Sequence, residues 1–275
     1  MNQVAKYFIS TILICLWCQW LTGQIKVINI VPNTRSFDSL HDSEPNLSVN
    51  PAHPDKIVAS AFTSTDINDR LAPIYITLDG GNEWFLKRTV PDNYWPKGSS
   101  DITLRFNGTG DTLYMAVLTG ISAYMDFQLL KMSMNELEND ADHLADMLSR
   151  RPYVDQPYIQ AATILGGDGR SFDKVYIGNN NNFLNPSPTS STNISTIDFL
   201  PQPLRCPPNA DNFETIDEHP ITDNLRADES AVRTAIHPSG VVYAVFYRIR
   251  QRNFVPHVAD RADVVIVRDD NWAAS

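Results

Sequence analysis

The amino-acid sequence predicts an all-β protein, a β-propeller built from four-stranded antiparallel blades, and three observations support this. Most of the chain after residue 23 consists of short alternating or β-branched runs separated by Gly, Pro, Asn and Asp, a pattern typical of many short strands. Four stretches of the chain follow one plan, which indicates an internal repeat. A turn motif from Thr77 to Trp84 follows the first of these stretches and is typical of a closed hairpin.

The strand pattern is clearest in runs that are rich in Val, Ile, Tyr and Phe. These runs are Ile25–Val31, Lys56–Phe62, Pro73–Thr77, Thr112–Leu118, Lys174–Gly178, Val241–Tyr247 and Asp263–Val267. Residues 133–150 differ, because Ser133 and Glu136 form a capping-box pattern and the apolar residues that follow have helical spacing (Leu137, Ala141, Leu144, Leu148). We expect one inserted helix there.

Each repeat has an acidic start, a short apolar strand, a turn that often contains Pro or Gly, and a second strand with strong β propensity. The repeats start at Glu44, Asp101, Asp155 and Asp228. Their spacing, about 55 to 70 residues, is near that of four-stranded propeller blades with inserted loops. A β-sandwich is the alternative all-β fold, but it does not require such regular internal similarity. About four blades are therefore expected.

The first 23 residues have the layout of a signal peptide. Lys6 precedes an uncharged apolar stretch that ends near Leu21, and small residues follow. This stretch is shorter than the roughly 20 apolar residues of a spanning helix, so we expect secretion without a stable membrane span. The predicted organisation is a signal peptide at residues 1–23 and a propeller at residues 24–275. Only Cys206 lies outside the signal segment, which leaves no intramolecular disulfide in the mature chain.

Composition and motifs exclude several classes of function. The net charge is −10 at pH 7, so nucleic acid, a polyanion, is not an expected partner. The sequence has no phosphate-binding loop, no zinc-protease motif and no serine-hydrolase elbow. The Asn179–Asn182 run offers oxygen ligands for calcium, but an ordinary polar loop is the preferred interpretation. We expect no cofactor and no metal.

The segment Thr77-Leu78-Asp79-Gly80-Gly81-Asn82-Glu83-Trp84 combines residues that can lock a turn. The Asp79 carboxylate can accept hydrogen bonds from turn amides, Gly81 can take a positive φ, and Trp84 can fold back towards the core. The order of these residues, beginning at Thr77, resembles the Asp-box repeat of the sialidase-like propeller superfamily. In that family the motif is structural and lies away from the active face. A degenerate copy follows at residues 264–272.

This resemblance implies a protein that acts on or binds glycans. Glycosidases use two carboxylates, whereas sialidases use a tyrosine nucleophile with acidic partners and hold the substrate carboxylate with arginines. Candidate residues for these roles lie on the face opposite the Asp-box turn, at blade starts and in the loops between second and third strands. The catalytic candidates are Asp66, Asp155, Asp228 and Glu229, and the substrate-binding candidates are Arg70, Arg233, Arg248 and Arg250.

The chain departs from the family at one point, because the Phe/Tyr-Arg-Ile-Pro signature of sialidases has no match. Two functions therefore stay open. The first is a secreted glycoside hydrolase that acts on extracellular glycans, with exo-sialidase-like chemistry as one form. The second is a non-catalytic propeller that binds glycan or protein ligands in the medium or at the cell surface. The oligomeric state is open as well.

The last repeat stops at Ser275, where a fourth strand is expected to begin. We expect the chain to be part of a larger propeller, since an open arc would leave strand edges exposed. The alternative is that Ile25–Val31 supplies the missing outer strand and closes a four-bladed ring.

Overall fold

A computed structural model describes residues 25–30, 43–62, 72–89, 99–121, 124–139, 144–152, 154–165, 169, 171–181, 189–199, 213–220, 232–253 and 258–270. The chain divides into two units, Met1–Ile30 and Val31–Ser275. In the first unit, residues 25–30 form neither helix nor strand, so the strand predicted at Ile25–Val31 is not found in them. The predicted signal peptide, residues 1–23, lies outside the described residues.

The described residues of the second unit form four antiparallel sheets, each built from strands that follow one another along the chain. Blade 1 contains β1 (Ser43–Val49), β2 (Ile57–Phe62), β3 (Pro73–Thr77) and β4 (Phe85–Arg88). Blade 2 contains β5 (Ser99–Phe106), β6 (Thr112–Ile121), β7 (Tyr124–Ser133) and β8 (Asp146–Pro152). Blade 3 contains β9 (Val154–Leu165), β10 (Ser171–Asn181), β11 (Thr189–Phe199) and β12 (Phe213–Pro220). Blade 4 contains β13 (Arg233–Ile236), β14 (Val242–Asn253) and β15 (Val258–Asp269).

Blade 2 shows how the sheets stack. Alternate residues of β6 face opposite ways, because side chains of a strand alternate between the two sides of a sheet. Leu113, Met115 and Val117 join the core shared with blade 1, whereas Tyr114 and Ala116 join the core shared with blade 3. A third core joins blade 3 to blade 4. A sheet that buries both faces against neighbouring sheets is a propeller blade and not a layer of a two-sheet sandwich.

Hydrogen bonds between first strands fix the register of neighbouring blades. The Leu104 amide on β5 donates to Asn46 Oδ1 on β1 at 2.9 Å, and the Phe106 amide donates to Ser48 Oγ at 3.0 Å. The Ile159 amide on β9 donates to a β5 side chain, Thr103 Oγ1, at 3.1 Å. Because the first strands of blades 1 to 3 are joined by these bonds, they lie side by side and form the inner edge of the stack.

The inserted helix is shorter than the sequence pattern predicts. Helix α1 covers Met134–Asn139, and its capping box is present: the Ser133 amide donates to Glu136 Oε2 at 2.7 Å and the Glu136 amide donates to Ser133 Oγ at 3.2 Å. Residues 146–150 of the predicted helix instead belong to strand β8, which pairs with β7. The spacing of Leu144 and Leu148 fits a helix. Pairing with the edge of β7 gives this segment a ladder of hydrogen bonds between strands, which decides its conformation.

The turn from Thr77 to Trp84 joins β3 to β4. Asp79 Oδ1 accepts the amides of Asn82 at 2.8 Å and Glu83 at 3.0 Å, and the Thr77 hydroxyl donates to the same oxygen at 2.8 Å. The amide of Glu83, followed by the Thr77 hydroxyl, lowers the pKa of Asp79. Gly81 has a φ of 95°, and its carbonyl accepts the indole N–H of Trp84 at 3.2 Å. Trp84 is half-buried against its own turn.

No helix among the described residues is long and apolar enough to cross a membrane.

Candidate functional site

The first strands of blades 1 to 3 begin irregularly. Register shifts interrupt β1 between Ser43 and Asn46, β5 between Ser99 and Ile102, and the pairing of β9 with β10 next to Asp155. Glu44 has a φ of 53° and Gln156 a φ of 50°, a region that residues other than glycine rarely occupy. Each irregularity coincides with an acidic residue at the start of the strand, so the bulges set where these carboxyl groups lie.

Three acids from three different blades approach one another here: Glu44, Asp101 and Asp155. Burial, a hydrogen bond with Glu44 and the charges of Glu44 and Asp155 together raise the pKa of Asp101 from 3.8 to about 8. Asp155 Oδ1 accepts the amide of Gln156 at 2.8 Å. We call these three residues the carboxyl cluster. At neutral pH it holds a protonated acid, Asp101, beside two further carboxyl groups.

Two arginines stack on one tyrosine along the same first strands. The guanidinium carbon of Arg105 lies 5.2 Å from the ring centre of Tyr158, and that of Arg233 lies 4.6 Å from it. Arg105 Nη2 also donates to the Tyr158 hydroxyl at 3.0 Å, and Arg105 Nη1 donates to Asn46 Oδ1 at 3.2 Å. Arg105 is thus held by hydrogen bonds, whereas Arg233 is exposed. We call these three residues the arginine–tyrosine stack.

The carboxyl cluster and the stack share their supporting strands. Strand β5 carries both Asp101 and Arg105, and strand β9 carries both Asp155 and Tyr158. The inner edge of the blades therefore combines a proton donor, two further carboxyl groups and an exposed guanidinium. Such a set can protonate an oxygen of a bound molecule and bind an anionic group of it.

The residues that sequence reasoning proposed fall into three groups. Asp155 belongs to the carboxyl cluster, and Arg233 belongs to the stack. Arg248 and Arg250 lie on β14, where the structure describes the backbone alone. The other four lie outside the described residues: Asp66, Arg70, Asp228 and Glu229.

Sequence reasoning placed Glu44 and Asp101 among the acidic blade starts but did not select them as catalytic candidates, and it missed Arg105 and Tyr158. The repeat itself carried a signal for these residues. Arg105 stands four residues after Asp101, and Tyr158 stands three residues after Asp155. Aligning the first strands would have placed all of them on the inner edge.

A second polar cluster, centred on Asp173, joins blades 2 and 3 at the turns between first and second strands. Asp173 Oδ2 accepts from the Tyr114 hydroxyl at 2.8 Å and from Asn107 Nδ2 at 2.9 Å, and Asp173 Oδ1 accepts from Thr163 Oγ1 at 2.7 Å. Burial and the nearby Asp173 charge raise the pKa of Tyr114. Three protein side chains donate hydrogen bonds to the Asp173 carboxylate, so this cluster holds blades 2 and 3 together and is structural. We call it a structural tie.

No group of three or more His, Cys, Asp or Glu side chains suited to a metal ion occurs in the part of the chain that the structure describes. The carboxyl cluster is included in that part. The predicted calcium alternative at Asn179–Asn182 extends beyond it, because residue 182 is not described.

Comparison with known proteins gives structural likenesses only. A phage phi92 endosialidase superposes with a TM-score of 0.48 at 13% identity, over 84% of this chain and 36% of that chain. A GH43 β-1,3-galactosidase superposes with a TM-score of 0.36 at 13% identity, over 83% of this chain and 43% of that chain. This chain therefore spans less than half the length of either enzyme. No family model and no curated protein matches the sequence. The blade topology, independently of these matches, identifies the fold.

Proposed function

We propose that this chain is a secreted propeller that acts on extracellular glycans as a glycoside hydrolase, with its reaction centre at the carboxyl cluster. The observation that carries the proposal is the meeting of Glu44, Asp101 and Asp155 at the starts of three adjacent first strands. Glycoside hydrolysis requires one carboxylic acid that is protonated at working pH and a second group that is a carboxylate. Neighbouring acids with unequal environments supply that pair.

In this proposal Asp101 donates its proton to the glycosidic oxygen as the bond to the anomeric carbon breaks. Glu44 keeps Asp101 protonated through their hydrogen bond and its charge. Asp155, on the third of the three strands, serves as the second carboxylate, which activates water or attacks the anomeric carbon. The exposed Arg233 guanidinium binds an acidic substituent of the glycan, and Arg105 holds the Tyr158 ring that supports it.

The second candidate is a non-catalytic propeller that binds glycan or protein ligands through the same inner edge. The hydrogen bond between Glu44 and Asp101 favours it, because a carboxyl group that is bonded to the neighbouring blade can serve as a structural contact without acting on a substrate. In that case the shared proton joins blade 1 to blade 2, and the stack alone contacts the ligand.

A screen of chromogenic glycosides and immobilised glycans tests both candidates. For the hydrolase we expect turnover of at least one substrate, and Asp101→Asn to lower kcat by about 10²-fold or more while glycan binding persists. Asp146→Asn is the matched control, since Asp146 is an exposed acid on β8 outside the cluster. Turnover that survives Asp101→Asn would contradict the assigned role.

The two candidates give different results in this screen. Binding without turnover, weakened by Arg233→Ala but not by Asp146→Asn, would support the non-catalytic propeller. Absence of both binding and turnover across the glycans would overturn the glycan proposal.

A further inference from the structure

The sequence contains a single Asn-Gly pair, Asn107-Gly108, directly after β5. This dipeptide loses its side-chain amide readily, because glycine has no Cβ to hinder its own backbone nitrogen. The Gly108 nitrogen gives up its proton and bonds to Asn107 Cγ, the bond from Cγ to Nδ2 breaks, and ammonia leaves. Water then opens the five-membered ring and leaves aspartate or isoaspartate at position 107.

In the folded protein the Asn107 side chain is buried and held by hydrogen bonds. It is 2% exposed. Its Nδ2 donates to Asp111 Oδ1 at 2.7 Å and to Asp173 Oδ2 at 2.9 Å, and its Oδ1 accepts the Thr112 amide at 3.3 Å. Ring closure requires this side chain to turn towards the backbone nitrogen of the next residue, which would break these bonds.

The attacking nitrogen is held as well. The Gly108 amide donates to Thr163 Oγ1 on β9 at 3.0 Å, and the Thr163 hydroxyl donates to Asp173 Oδ1 at 2.7 Å. Attack requires the Gly108 nitrogen to lose its proton, and a further negative charge is unfavourable near buried carboxylates. Geometry and charge therefore both slow the loss of ammonia from Asn107 in the folded protein.

The product of the reaction does not fit the same contacts. The Asn107 amide supplies two hydrogens to two carboxylates, whereas an ionised aspartate supplies none. It would place a third negative charge where Asp111 and Asp173 now accept hydrogen bonds at 2.7 and 2.9 Å. Isoaspartate also lengthens the backbone, between an amide that donates to Thr112 and a carbonyl that accepts from Gly110.

Neighbouring groups depend on the Asn107 amide. Burial acts to raise the pKa of Asp111, but hydrogen bonds, first among them the one from Asn107, leave this pKa lowered. Tyr114 donates to the same Asp173 oxygen as Asn107 does. Loss of the amide would therefore disturb the whole structural tie between blades 2 and 3.

We propose that Asn107 is a modification site at which an unfolded chain loses the amide, and that a chain modified there cannot return to the folded state. The folded contacts protect the amide, and the same contacts exclude the product. Time spent unfolded thus makes unfolding irreversible. Asn107 belongs to neither the carboxyl cluster nor the arginine–tyrosine stack, so this inference is independent of the proposed function.

Timed holding in denaturant tests the proposal. The 275-residue chain is held at mildly alkaline pH for increasing times, diluted to refold, and separated by gel filtration into native and non-native fractions. Peptide mass spectrometry then measures position 107 in each fraction. We expect the native yield, relative to the yield without holding, to equal the fraction of chains that retain Asn107. Chains held in native buffer should retain it throughout.

Gly108→Ala is a slowly reacting variant, because its Cβ hinders ring closure. That Cβ would lie 3.1 Å from Thr163, so the variant is compared with its own yield before holding. We expect its relative yield to persist after the wild-type yield has fallen. A relative yield that falls as fast as that of the wild type would contradict the proposal.

Direct replacement tests the second half of the proposal. Asn107→Asp should give little or no native protein, whereas Asn135→Asp should refold like the wild type. Asn135 is exposed in the first turn of α1, and an aspartate there keeps the oxygen that accepts from Asn139. Modified chains in the native fraction, or native yields of Asn107→Asp equal to those of Asn135→Asp, would overturn the proposal. Equal rates of ammonia loss from folded and unfolded chains would overturn it too.

Discussion

The pKa of Asp101 is raised because of its position in the fold and not because of its neighbours in sequence. Its carboxyl group is partly buried at the start of β5, and Glu44 and Asp155 reach it from the first strands of two other blades. Burial and nearby negative charge both disfavour the ionised form, so their effects on the pKa add. By contrast, Asp79 accepts turn amides from its own hairpin, and its pKa is lowered. Two aspartates at strand ends thus differ in protonation state because of their surroundings.

The raised pKa of Asp101 predicts a pH dependence of stability. Its pKa is 3.8 in the unfolded chain and about 8 in the folded protein, so between these values the folded protein holds a proton that the unfolded chain has released. The free energy of unfolding should therefore fall as the pH rises from about 4 to about 8. Asp101→Asn removes the titrating group, and we expect it to flatten this decline.

Denaturant unfolding of both proteins at a series of pH values measures the effect. Asp146→Asn serves as the control and should retain the wild-type decline. An Asp101→Asn protein with the same slope as the wild type would show that Asp101 does not hold the proton in the folded protein.

At the scale of elements, the turns between first and second strands connect blades as well as strands. Gly110 lies in the turn between β5 and β6 with a φ of 74°, and its carbonyl accepts Asn50 Nδ2 from blade 1 at 2.7 Å. Asn50 is fully buried, and its Oδ1 accepts the amides of Ala52 and His53. One asparagine therefore shapes the turn of its own blade and contacts the turn of the next.

Two glycine substitutions distinguish the cost of backbone strain from the cost of disturbing the contact between Gly110 and Asn50. Gly80 and Gly110 have nearly equal φ values, 73° and 74°, but a Cβ at Gly80 meets nothing within 4 Å whereas a Cβ at Gly110 would lie 2.0 Å from Asn50 Oδ1. We expect Gly80→Ala to lower the free energy of unfolding by about 1 kcal/mol. Gly110→Ala should cost about 1–3 kcal/mol more, because the buried Asn50 must move.

Chemical denaturation of the two variants gives the comparison, with Gly80→Ala as the control for strain alone. Equal losses of unfolding free energy in both variants would mean that Asn50 moves aside without cost. The contact between Asn50 and Gly110 would then contribute little to the stability of the interface between blades 1 and 2.

At the scale of the whole molecule, neighbouring blades are joined by apolar cores and by polar ties at the edges of those cores. The three cores each draw residues from adjacent blades. Asp173 adds a tie between blades 2 and 3, with donors from Asn107, Tyr114 and Thr163. A blade that shares both faces cannot separate without exposing two cores, so blades 2 and 3 are expected to unfold together.

Tyr114→Phe tests this tie. Loss of the hydrogen bond to Asp173 should lower the free energy of unfolding by about 1.5–3 kcal/mol, the range for hydrogen bonds to charged groups. The transitions followed by circular dichroism and by tryptophan fluorescence should coincide if the blades unfold as one unit. Tyr243→Phe is the control because Tyr243 is partly exposed. Equal effects of the two substitutions would argue against the tie.

Local sequence patterns predicted the elements better than they predicted the site. The runs at Pro73–Thr77 and Lys56–Phe62 are strands, because β-branched residues and alternation act within a few residues. The helix pattern at 133–150 holds only as far as Asn139, since pairing with β7 decides the conformation of residues 146–152. The repeat places Arg105 and Tyr158 on equivalent first strands, but their contact joins residues 53 apart in sequence, a separation that local rules do not cover.

The sequence by itself determined the all-β class, the four-fold repeat, the capping box of α1 and the turn from Thr77 to Trp84. Each of these follows from interactions between residues close in the chain. Only the tertiary structure decided that Glu44, Asp101 and Asp155 meet, that two arginines stack on Tyr158, and that Asn107 donates to carboxylates of two blades. These features depend on how separate blades pack, and a proton shared between distant acids exists only once packing removes water and brings the charges together.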